Sequence, residues 1–81
     1  MRKLTYEDII KNNVDTTLQY KALEYIKECL DLKLFKVYLY NNYTLKVTDR
    51  NNKSGYFEYD ERKKEVLYTD AEDYEREIKM I

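Results

Sequence analysis

Carboxylates are the groups with which this sequence could do acid–base chemistry. Its 81 residues hold 16 Asp and Glu, 15 Lys and Arg, one cysteine and no histidine. Without histidine, Ser-His-Asp and Cys-His nucleophile arrangements and the common zinc ligand sets are excluded. A lone glycine, Gly55, excludes a phosphate-cradling glycine loop and a dinucleotide fingerprint. No acidic run has the spacing and glycine of an EF-hand loop. What remains is Glu58 and Asp60, which share one face of an expected strand, with Glu65 across from Asp60. The trio reads as an acid–base dyad or a hard-cation site, or as a charged strand face that resists aggregation. The second reading is preferred, so no catalytic residue, metal or cofactor is assigned.

Three other groups are weighed in the same way. Cys29 sits among Tyr25, Ile26 and Leu30 on an apolar helix stripe, which predicts a buried, inert thiol rather than a reactive one. Lys36, Lys46, Tyr38 and Tyr40 could form a basic, aromatic sheet face that stacks single-stranded bases. The alternative is a tyrosine face packed under a helix or against a second subunit. Arg62-Lys63-Lys64 could dock phosphate, but reads first as a solvated hairpin tip.

The elements that must position these residues follow from periodicity and caps. Thr5 with Asp8 predicts a capping box for a helix over 6–12, with Leu4 and Ile9 as its hydrophobic staple. Thr16 with Gln19 predicts a second box, opening a helix over 16–32. Its stripe is Leu18, Ala22, Tyr25, Ile26, Cys29 and Leu30. From Leu34 the period becomes two. Strands are expected on both sides of Asn41-Asn42, then at Tyr56–Asp60 and Glu65–Thr69. A three-residue loop with left-handed Asn42 would place Phe35, Val37 and Leu39 on one face with Tyr43, Leu45 and Val47. A last helix should start near Asp70, with Thr69 and Glu72 as its box and Ala71, Tyr74, Ile78 and Ile81 as its apolar line. The expected fold is α+β: two N-terminal helices, a four-stranded antiparallel meander and a C-terminal helix, in one domain over 1–81. The expected core is Leu18, Ile26, Leu30, Phe35, Val37, Leu45, Val47 and Phe57.

Composition narrows the setting. A core this small gives modest stability unless self-association adds to it. One cysteine excludes an intramolecular disulfide and favours a reducing compartment. Neither a membrane-length apolar run nor a signal-peptide core is present, so a cytoplasmic location is expected. The net charge of −1 hides an acidic C-terminal third. Within residues 58–77, nine acidic residues outnumber four basic ones, a net of −5. That favours basic partners over nucleic acid. Ten tyrosines against two Phe and no Trp predict a wet aromatic face, because tyrosine joins an apolar ring to a polar tip.

An acidic, tyrosine-rich hairpin thus precedes an acidic helix, carried by Tyr56, Glu58, Tyr59, Asp60, Asp70, Glu72, Asp73 and Glu75. In this the last third resembles small phage-encoded anti-defence proteins, anti-CRISPR proteins among them. The resemblance implies a stoichiometric inhibitor that binds a host protein, such as a nuclease or CRISPR effector, in its nucleic-acid channel. The partner-binding residues expected are Tyr56, Glu58, Asp60, Asp73 and Glu77. Two other readings stay open at this point: a nucleic-acid-binding module using the Tyr/Lys face, and a homodimeric structural or regulatory protein.

Overall fold

Both helix starts are built by the capping boxes their spacing predicts. In α1 (Tyr6–Ile10), Thr5 Oγ1 accepts from the Asp8 N–H and the Asp8 carboxylate accepts from the Thr5 N–H, each at 3.0 Å. Those bonds favour the charged form of Asp8. Its pKa is held below the ordinary value, first by the Thr5 backbone and then by the Asn13 side chain. In α2 (Thr17–Cys29), Thr16 and Gln19 exchange the same pair of bonds. Each helix ends earlier than the apolar pattern suggests. Asn12 takes a left-handed φ of 53° just past α1, and Leu30 is already extended. The structure, a computed structural model, describes residues 1–74.

The strands are β1 (Arg2–Lys3), β2 (Lys36–Asn41), β3 (Thr44–Thr48), β4 (Ser54–Asp60) and β5 (Glu65–Asp70). They form one antiparallel sheet in the order β1-β2-β3-β4-β5. The expected α+β class and four-stranded meander are present. A fifth strand, β1, is added beside β2, and two residues are too short a run for alternation to reveal. Residues 71–74 are helical directly after β5, which runs one residue past the expected Thr69 cap. Ile78 and Ile81, expected on that helix, lie outside the described residues.

Register decides the two faces. Val37 pairs with Val47 and Leu39 with Leu45, so these four share a face as hydrophobic matching requires. The device differs from the expected one. Leu39 and Asn41 oppose Leu45 and Thr44, so Tyr40 is an extra, bulged residue and the turn is Asn42-Tyr43. Asn42 is not left-handed, and Tyr43 is an exposed turn residue instead of a core one. The bulge shifts parity by one, as a left-handed loop residue would have done.

The core lies between α2 and this face. Ala22, Leu23 and Ile26 pack on Val37, Leu39, Leu45, Val47 and Phe57, with Leu4 and Ile9 closing one side. Leu30 and Phe35 are half-buried against it, and Leu18 stands outside it. Leu23, Leu39, Leu4, Ile9 and Ala22 therefore join the expected core, and Leu18 leaves it. The stripe of α2 is centred differently from its sequence reading. At about 100° per residue, Gln19, Leu23, Ile26 and Leu30 fall within about 60° of one another. Leu18, Tyr25 and Cys29 lie to one side. The polar Gln19 disguises the centre of the stripe, although it is 2% exposed. Its Oε1 accepts from the Asp15 and Thr16 N–H groups, and its Nε2 donates to the Asn41 carbonyl at 2.7 Å.

Candidate functional site

The expected Tyr/Lys face exists, and Tyr74 covers part of it. Tyr38, Lys46, Tyr56 and Thr69 line up across β2 to β5 on the side away from α2. There Tyr74, in the first turn after β5, stacks on Tyr56 with ring centroids 4.1 Å apart. Tyr40, pushed out of the ladder by the bulge, meets both rings edge-on at 4.8 and 5.6 Å. Lys46 Nζ sits 5.9 Å from the Tyr56 ring. Tyr56 is 4% exposed, so its ring is spent on an internal aromatic cluster. The Tyr74 phenol is pushed up, first by burial and then by Tyr40, Tyr43 and Glu58, while a hydrogen bond with Asn41 opposes this. Tyr74 thus fills the part of this face around Tyr40 and Tyr56.

Glu58 and Asp60 do share that face of β4, and Glu65 is the cross-strand partner of Asp60. Burial first, and Asp60 second, push the Glu58 carboxyl above its ordinary range. Asp60 is committed to the hairpin: its Oδ1 accepts from the Arg62 and Lys63 N–H groups at 2.9 and 3.2 Å. The hairpin closes through Lys64, whose φ is 54°. Among the described residues, no group of three or more Asp, Glu or Cys is placed to hold a metal ion. Asp73 is exposed on the turn beyond β5, and Glu77 lies outside the described residues. Asp60 and Asp70 stand at opposite ends of the β4–β5 ladder. Glu58, Asp60 and Glu65 face away from α2, whereas Asp70 lies on the α2 face of the sheet.

Cys29 overturns its expectation. It is exposed at the end of α2, on the flank of the stripe and beyond its buried centre. It borders an apolar groove of about 460 Å³ together with Tyr25, Phe35, Phe57, Gly55 and Tyr68. The Tyr25 hydroxyl is pushed up chiefly by its hydrogen bond with Cys29. Tyr68 lies across Gly55, where an added Cβ would come within 2.3 Å of its ring. Its hydroxyl donates to Asp70 Oδ1 at 2.7 Å, and that bond raises its pKa. Phe57 lies 4.9 Å from Tyr68 and 6.3 Å from Tyr25, completing a line of three rings.

Sequence reasoning misses this groove. Its signals are the only glycine in the chain and the alternation of Val66 and Tyr68, but their meaning depends on β5 being, among the described residues, the last strand of the sheet. No described helix is long and apolar enough to cross a membrane. Comparison with protein-family models, with curated proteins and with solved structures finds no match to this chain.

Proposed function

We propose that the chain is a non-enzymatic protein-binding module whose β4–β5 side docks on a basic protein surface. One observation carries the reading. Exposed aromatic and aliphatic side chains (Tyr25, Leu67 and Tyr68) stand beside the carboxylates of the acidic C-terminal third. Rings of this kind anchor protein interfaces, and surrounding charges set on-rate and specificity. Glu58, Asp60 and Asp73, with Glu77 from the sequence, supply the charge. Tyr56 is 4% exposed and lies behind this surface, in the cluster with Tyr40 and Tyr74. In its finer form the reading is a cytoplasmic inhibitor of phage or mobile-element origin. Its target would be a host nucleic-acid-handling protein, such as a CRISPR effector, and its carboxylates would take the place of phosphates. The support for that form is charge and sequence style.

The test is a pull-down from host lysate followed by two charge-reversal variants. Asp60, Asp73 and Glu77 to Lys should weaken binding and flatten its salt dependence, since screening acts on exposed pairs. Lys11, Lys21 and Lys27 to Glu should do much less. The opposite ranking would place the function on the helical side. Co-purifying nucleic acid in place of a protein would sink the reading.

A further inference from the structure

The two edges of the sheet are treated differently. The β2 edge is closed by β1, whose residues are Arg2 and Lys3. Among the described residues, β5 has a strand neighbour on one side only. Natural edges are usually blunted by a central lysine, a proline, a bulge or a cover. Among the described residues none of these occurs at β5, which pairs with β4 residue for residue and carries charge only at its ends, Glu65 and Asp70. Between them stand Val66, Leu67, Tyr68 and Thr69, with Leu67 37% and Tyr68 55% exposed.

Beside this edge runs a groove bounded by α2. One end is lined by Lys21, Glu24, Glu65 and Val66, and the other by Cys29, Phe57, Tyr68 and Asp70, with Tyr25 common to both. Helix and strand are thus side by side and run the same way, about 20 Å each by rise per residue. A strand added to β5 would make main-chain bonds to its outward N–H and C=O groups. Every second side chain would enter the groove opposite Val66, Tyr68 and Asp70, which share a face with Phe57.

We propose that β5 and the groove beside α2 bind an extended peptide that pairs with the edge, apolar at alternate central positions and basic at both ends. The proposal rests on the protein-binding reading above and specifies its partner. Charge chooses the occupant. Around the groove, Glu24, Glu28, Asp49, Glu65 and Asp70 outnumber Lys21, Lys53 and Lys64. Lys21 is drawn onto the Tyr59 ring, 4.8 Å from its centroid. A second copy fits worse. Antiparallel self-pairing would bring two copies of this acid-rich margin together, like charge beside like charge.

The test uses short synthetic strand peptides, with alternating valine and threonine centrally and either lysine or glutamate at both ends. Two further lysine-ended peptides carry N-methyl groups on one or the other set of alternate backbone nitrogens. The lysine-ended peptide should shift the amide resonances of 65–70 and of Tyr25 and Cys29, and the glutamate-ended one should not. One methylated set should abolish binding and the other should preserve it, because only alternate nitrogens face the edge. Glu65→Lys with Asp70→Lys, checked for folding by circular dichroism, should lower affinity about tenfold or more. Shifts at Glu58, Asp60 and Asp73 instead, or binding that survives both methylations, would overturn the edge while leaving the acidic-side reading in place. No binding by either unmethylated peptide would also overturn it, whatever the pull-down yields. Concentration-dependent broadening of 65–70 without peptide would make a second copy the occupant and refute the proposal.

Discussion

Gln19 is where a local signal becomes a tertiary one, and replacing it should measure how much the second adds. Its side chain makes three hydrogen bonds of 2.7 to 3.0 Å: two cap α2 and one reaches the Asn41 carbonyl in the β2–β3 hairpin. Thr16 Oγ1 reinforces the link by donating to the Asn42 carbonyl. At about 1 kcal/mol net per bond, Gln19→Leu loses about 3 kcal/mol. The added apolar burial returns about 1 kcal/mol, leaving a net cost of about 2 kcal/mol. A chain this size holds about 4–12 kcal/mol in total. The melting temperature should fall by about 8–16 °C. Gln19→Glu keeps the capping oxygen and loses the donor to Asn41, so comparing the two variants separates cap from clamp. Urea unfolding monitored by circular dichroism measures both, and amide exchange at Tyr43 and Thr44 reports the hairpin directly. A Gln19→Leu cost below about 0.5 kcal/mol, at the low end for even one hydrogen bond, with unchanged exchange there, would refute the clamp.

Four further outcomes are expected. Thr44 is fully buried and its Oγ1 has no hydrogen-bond partner among the described residues; Thr44→Val should raise stability by about 1–2 kcal/mol in urea titrations, and a loss would point to a hidden partner. Glu58 has its carboxyl pKa raised from 4.5 by burial and by Asp60. The unfolded chain therefore ionises first as pH rises, and stability falls from pH 4.5 up through the raised folded value. Glu58→Gln should thus gain on wild type between pH 4 and pH 7, and a constant difference in urea midpoints would contradict the cause assigned. Cys29 should react stoichiometrically with a thiol reagent in the native state, whereas labelling only on unfolding would restore the buried reading. Ile26→Ala, at a site with no exposed surface, should cost about 2–5 kcal/mol, checked by thermal melts.

Short-range pattern carries much of this fold because its decisions are short-range. A capping box needs only residues three apart, and both are where Thr5/Asp8 and Thr16/Gln19 place them. Alternation in 35–47 sets which side chains share a face, and any device that shifts parity by one satisfies it. The sequence therefore specifies the face, while the bulge at Tyr40, in place of a left-handed Asn42, was settled by packing. That choice matters, because the bulge sends the Tyr40 ring to Tyr56 and Tyr74.

By itself, then, the sequence determined the α+β class, the two helix starts, the hairpin faces, and a chemistry without histidine or phosphate loop. Only the tertiary structure decided which side of α2 is buried, because Gln19 counts as polar until its three partners from two elements are in place. It also decided that Tyr56 is internal, since the burial of a ring depends on what crosses it, here Tyr74 from beyond the strand. Above all it decided that, among the described residues, β5 has a strand neighbour on one side only. Its sequence reads the same at a sheet's centre or its rim, and only the order of the strands leaves its outer hydrogen-bonding groups for a partner.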